Sequence, residues 1–175
     1  MKKLLYYIFL IFVFFSCRKD RISYIYSIDG YEKFAELRND TYNITTDSIS
    51  FKAKLVELFD TKKQVSIDKI EIVKQQTLGD NKSDFYYILA HDLTKDIRIA
   101  RYLVRINDFF YINNNIKSED LFEQTYLICI GGGNCNPQVF DMESGMSWSC
   151  SDIYECTYDK FMDCKMFTTV SIEDK

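Results

Sequence analysis

The stretch Phe85 to His91, FYYILAH, has no polar face. Phe85, Tyr87 and Leu89 fall on one side of an extended chain, and Tyr86, Ile88 and Ala90 on the other. A strand apolar on both faces reads as the central strand of a sheet. Its neighbours in sequence fit that reading. Gln64 to Gln76 is rich in branched residues, with Val65 and Ile67 on one parity and Ile70 and Ile72 on the other. The slip near Asp68-Lys69 predicts a bulge or two pieces of strand. Gly79-Asp80-Asn81 is a turn signal. Ile97 to Ile106 is another strand, and Asn107-Asp108 a two-residue turn into Phe109 to Asn113. Gln124 to Ile130 is a further strand, ending at Gly131-Gly132-Gly133. The expectation is an antiparallel meander from about Val65 to Ile130.

Short helices are expected before it. In Asp29 to Arg38, Tyr31, Phe34 and Ala35 share a helical face, with Leu37 beside it and Ser27 or Asp29 as cap. Asn39 to Asp47 reads as a polar loop. Ser48 to Asp60 fits a helix through Phe51, Leu55, Leu58 and Phe59, capped by Thr46 or Asp47. It also fits a strand through Ile49, Phe51, Ala53 and Leu55. The good helix formers of KAKLVELF favour the helix. With 13 Tyr, 14 Phe, 6 Gly and 1 Pro, composition favours ordered strands over disorder. The fold class expected is α+β: short N-terminal helices, an antiparallel β-sheet meander and a disulfide-tied C-terminal lobe.

The N-terminus carries an address. Lys2 and Lys3 precede an uncharged apolar run from Leu4 to Phe15, then Ser16, Cys17 and Arg18. A basic start, a short apolar core and a small residue at a cleavage point make a secretory signal. A bilayer-spanning helix needs roughly 20 apolar residues, more than this run supplies. Phe14-Phe15-Ser16-Cys17 resembles a bacterial lipoprotein signal, with Phe14 where leucine is usual, and the aromatic richness resembles Bacteroidota lipoproteins. The resemblance implies cleavage before Cys17 and lipidation of Cys17, which inserts acyl chains in the membrane. Two or more chains hold stably, at about 0.8 kcal/mol per buried CH₂. The organisation expected is a signal at 1–16, an anchored tether at 17–27, an α+β domain at 28–128, and a cysteine-rich region at 129–175 packed on the same domain. Loss of Lys2 and Lys3 takes the net charge from −4 to about −6, which disfavours nucleic-acid binding.

Five of the six cysteines lie late in the chain: Cys129, Cys135, Cys150, Cys156 and Cys164. Outside the cytoplasm these are disulfide candidates. Two bridges and one free thiol is the simplest count, and sequence alone assigns no pairing. Local geometry favours one bridge inside 129–150 and another inside 150–164. A bridge closing such a loop contributes about 2–4 kcal/mol. Structural zinc prefers cysteine pairs two to four residues apart; no C-x-x-C occurs, so no metal or other cofactor is expected. CIGGGNCNPQVF followed by WSCSDIYEC resembles the tail of small, uncharacterised Bacteroidota lipoproteins. That resemblance implies an extracytoplasmic architecture and no particular activity.

Catalytic patterns are incomplete. Gly145-Met146-Ser147-Trp148-Ser149 approaches the nucleophile elbow but ends in serine where glycine is needed. His91 is the single histidine, so any serine or cysteine nucleophile would depend on it. Gly131 to Gly133 lacks the Lys-Ser/Thr of a phosphate loop and reads as a turn. Asp152, Glu155, Asp159 and Asp163 read as a solvated acidic face, and Trp148 as a small core beside a disulfide. The leading expectation is a non-enzymatic protein- or glycan-binding module, lipid-anchored in the cell envelope, at the outer membrane of a Gram-negative bacterium. The alternative is a periplasmic inhibitor or immunity-type lipoprotein, its acidic balance fitting a basic target. A hydrolase using His91 ranks third.

Overall fold

The structure, a computed structural model, describes residues 30–59, 65–115, 121–151 and 164–170. Its centre is β5 (Asp84–Asp92), paired antiparallel with β3 (Lys69–Gln76) on one side and β6 (Ile97–Ile106) on the other. The far edge of β6 is shared. Residues 97–101 pair with β8 (Thr125–Ile130), and residues 104–106 pair with β7 (Phe109–Asn113). This fork gives an eight-stranded sheet two arms. One continues from β8 to β11 (Lys165–Val170), the other from β7 through β1 (Tyr31–Arg38) to β2 (Thr41–Ile44). A second, three-stranded sheet holds β4 (Leu78–Gly79), β9 (Gln138–Met142) and β10 (Gly145–Ser149). Among the described residues the helices are α1 (Ser48–Phe59) and the single turn α2 (Leu121–Gln124).

The two apolar faces of β5 make two cores. Tyr86, Ile88 and Ala90 join Phe34, Ile99, Leu103 and Phe110 under Phe51 and Leu55 of α1. Phe85 and Tyr87 join Ala100, Leu127, Val139 and Trp148 under the β9–β10 hairpin. The Trp148 ring meets Tyr87 edge-on at 6.0 Å and stacks on Phe122 at 5.2 Å, so it is a core residue beside a cysteine pair. Each fully buried large apolar side chain contributes about 2 kcal/mol.

The meander is antiparallel through β3, β5, β6 and β7, with Asn107 in the left-handed region at the β6–β7 turn (φ 57°). Neither the bulge nor the second strand piece expected near Asp68-Lys69 forms: β3 is one unbroken ladder from Lys69, and residues 65–68 before it are not strand. Gly79 (φ 97°) does more than turn the chain. It pairs in parallel with Asp141, and a Cβ there would lie 2.8 Å from the Asp141 carbonyl oxygen. The helix at Ser48–Phe59 forms, and Asp47 caps it. Its carboxylate accepts from the Ile49 N–H at 3.0 Å and the Ser50 hydroxyl at 2.7 Å, bonds that hold its pKa below the usual carboxylate value.

The helix expected over Asp29–Arg38 is instead the strand β1, and the reason is a bulge. Lys33 faces Tyr111 and Ala35 faces Phe110, so Phe34 is an extra residue in the ladder. Phe34 and Ala35 are both fully buried, and with Tyr31 they give the i, i+3, i+4 spacing that imitates a helix. The polar stretch after it is no simple loop. Asn39 and Asp40 both have positive φ and turn the chain into β2.

Asp92, at the end of β5, is buried and accepts backbone N–H groups from Ser66 at 2.9 Å and from Thr94 and Lys95 at 3.0 Å. Burial raises its pKa, but backbone N–H groups of Ser66, Lys95 and Thr94 outweigh that and hold it below the ordinary value. Its stabilising effect is therefore full above about pH 4 and lost as pH falls through the lowered pKa. In Asp92→Asn one amide nitrogen would face the Ser66 N–H. We expect a loss of about 2 kcal/mol at neutral pH, read from the urea midpoint.

Candidate functional site

The cysteines organise the face of the sheet opposite α1. Cys129 on β8 bonds Cys150 (S–S 2.11 Å, Cα–Cα 5.5 Å), pinning the end of β10 to the sheet. Cys135 bonds Cys164 (S–S 2.09 Å, Cα–Cα 5.4 Å), tying the loop after β8 to the start of β11. The first bridge lies within 129–150, as the sequence suggests. The second does not lie within 150–164. β11 runs back antiparallel along β8, with Lys165 opposite Ile130, so Cys164 arrives beside the loop that holds Cys135. Arg98 braces that loop, donating from Nη1 to the carbonyls of Gly131 (2.7 Å) and Cys135 (3.2 Å). Cys17 and Cys156, the tether at 17–27, and the acidic residues Asp152, Glu155, Asp159 and Asp163 lie outside the described residues.

His91 sits near the end of β5, opposite Lys69 and Arg98 on the flanking strands. Its Nε2 is buried, and among the described residues no serine or cysteine is hydrogen-bonded to it. Burial, then the Arg98 charge, pushes its pKa below the ordinary value. The near-elbow at Gly145–Ser149 is β10, where Ser147 pairs with Phe140 in a hairpin ladder. The structure does not bring Ser147 and His91 together as a hydrogen-bonded pair.

Among the described residues, two concavities lie on the helix-covered face. The first, of about 150 Å³, lies where the first turns of α1 cross β1, β7 and β8. Glu32, Asp47, Ser50, Lys54, Asn114 and Tyr126 supply its polar wall. Near it lies Arg101, 1% exposed. Its Nη2 donates to the Asn113 carbonyl (2.6 Å) and to Asn114 Oδ1 (3.1 Å), and its guanidinium lies 4.4 Å from the centre of the Tyr126 ring. Asn114 in turn donates from Nδ2 to Glu32 at 3.1 Å, and Asn113 donates to Glu123 at 2.7 Å. Burial pushes the Tyr126 phenol up against the opposing pull of Arg101 and Lys54, so it stays neutral. This wall has the donors and acceptors to hold a hydroxyl or amide group. The second concavity, of about 370 Å³, is apolar and lies at the other end of α1, lined by Leu58, Phe59, Val65, Ile99, Ile128 and Phe167 among others.

The polar wall is absent from the sequence reading, although one signal for it exists. In Ile97, Ile99, Arg101, Leu103 the charged residue occupies an apolar parity of β6, marking a buried cation with partners to be found. Glu32 and Lys54 give no such signal, because half-exposed charges are ordinary.

Among the described residues no group of three or more His, Cys, Asp or Glu side chains is placed to hold a metal ion, and no helix is long and apolar enough to cross a membrane. Two outcomes are expected of this region. Replacing Cys129 and Cys150 together by Ala should cost about 3 kcal/mol in urea unfolding. His91 is held neutral in the fold, so stability is full above its unfolded pKa of 6.5 and declines as pH falls through the lowered folded value. In His91→Gln that acid-side decline should flatten below about pH 6.5.

Compared with family models, with curated proteins and with solved structures, the chain matches none.

Proposed function

We propose that this chain is a lipid-anchored protein of the cell envelope whose disulfide-stapled domain binds a protein or glycan without transforming it. The observation that carries the reading is the pair of bridges Cys129–Cys150 and Cys135–Cys164. Disulfides persist in oxidising compartments, and the apolar run ending in Cys17 supplies both a route there and an attachment point. A bacterial envelope with Cys17 acylated at an outer membrane is the setting that fits both. The polar cavity beside Arg101 supports recognition of a hydroxyl- or amide-bearing partner, since its wall mixes carboxylate, ammonium, amide and phenol.

The test is the intact mass of the protein isolated from its native envelope, with thiols alkylated before and after reduction. Four cysteines protected until reduction and acyl mass on Cys17 are expected. Cys17→Ser should leave the protein unacylated and unprocessed. A mature N-terminus elsewhere, or no acyl mass, removes the anchor. All thiols reactive before reduction removes the oxidising compartment. For binding, crosslinked envelopes are fractionated on the wild type and on Lys54→Glu. A partner held by the polar cavity should be recovered by the first and lost by the second.

A further inference from the structure

We propose that β11 is a docking edge for a second copy of this chain, joined by antiparallel strand addition about a dyad at Thr168. Among the described residues, the large sheet ends on three strands with one neighbour each: β2, β3 and β11. Two of these edges are guarded. β2 is four residues long, and β3 carries Lys69, Glu71 and Lys74, with ion pairs at 2.8 Å (Lys69–Glu71) and 2.6 Å (Lys74–Asp84). Short length and charge are the usual protections of an exposed edge. β11 has neither. All six of its residues pair with β8 on one side, all six are exposed, and from Met166 to Val170 none is charged or proline. Met166, Phe167 and Val170 are 46%, 51% and 39% exposed. No other described strand leaves so many large apolar side chains in solvent.

The sequence of this strand is self-complementary in one register. A dyad normal to the sheet keeps like faces together, so paired residues share parity. Centring it on Thr168 sets Thr168 against its own copy, Phe167 against Thr169, and Met166 against Val170. Each of the three exposed apolar side chains then gains a cross-strand neighbour, and no like charges oppose among the residues 166–170. The free N–H and C=O groups of both edges are satisfied in the same step. The sheets of the two copies become one continuous sheet, with α1 on the same side in both.

The test uses full-length chains carrying two different C-terminal tags, co-expressed and isolated from the native envelope through one tag. Wild-type copies should co-isolate. Thr168→Lys in both copies places two ammonium groups across the dyad, and co-isolation should fall to background. Pairing a T168K copy with a T168E copy should restore it, because the charges now attract. That restoration also shows that each variant folds. Wild-type copies that fail to co-isolate overturn the proposal. So do T168K copies that co-isolate as the wild type does, or a charge-swapped pair that stays apart while both variants keep four protected cysteines. Recovery of a different envelope protein through this strand, lost in T168K, with no second copy present, also overturns it.

Discussion

A strand whose two faces are both apolar has to be covered twice, and most of the architecture follows from how β5 meets that demand. Its even-numbered residues lie under α1 and its odd-numbered residues under the β9–β10 hairpin. Each cover is a small element that the chain reaches by a different route. The helix arrives from the N-terminal side, between β2 and β3. The hairpin arrives from the C-terminal side, after β8 has joined the sheet beside β6. The two arms of the sheet therefore part at β6.

The fork has a consequence for polarity. Where β7 and β8 diverge along one edge of β6, the ladder cannot satisfy every backbone group from a neighbouring strand. Arg101 lies at that divergence, reaching the carbonyl of Asn113 at the end of β7 and packing on Tyr126 of β8. Burying a guanidinium is costly, and here Asn113 and Asn114 supply acceptors for its Nη2 while their own amides reach Glu123 and Glu32. The polar cavity borders this same junction. The same fork that buries this cation also places the carboxylate of Glu32 and the amide of Asn114 in the wall of the cavity, beside one helix.

What could be read from the sequence was what each segment decides alone. The two-faced pattern of β5, the Asn107-Asp108 turn and the helix through Phe51 and Leu55 depend on local periodicity, and each appears where that periodicity puts it. The failures are places where tertiary pairing changes the period. The extra residue at Phe34 gives β1 a helical spacing, because a bulge moves one apolar side chain out of register. β11 is half threonine and lysine, with no buried residue, so nothing in its pattern announces a strand; β8 imposes it. The partner of Cys164 was hidden for the same reason, since it depends on where β11 lies.

The covers also differ in how they are held, and the difference explains where the cysteines fall. α1 sets Phe51 and Leu55 one turn apart into a core already lined by Phe34, Ile88 and Phe110, so burial anchors it, with Lys52 donating to the Asp68 carbonyl at 2.9 Å. The hairpin offers far less. Its buried side chains are Val139, Phe140 and Trp148, and β10 otherwise presents exposed glycine, methionine and serine. Two five-residue strands are marginal without a larger apolar face. The Cys129–Cys150 bridge pins the outgoing end of that hairpin to the central strands, while Cys135–Cys164 joins the loop leading into it to the returning edge strand. Both bonds restrict the unfolded chain across the segment that gains least from burial. Covalent closure thus stands on the weakly packed face of β5, and hydrophobic packing suffices on the other.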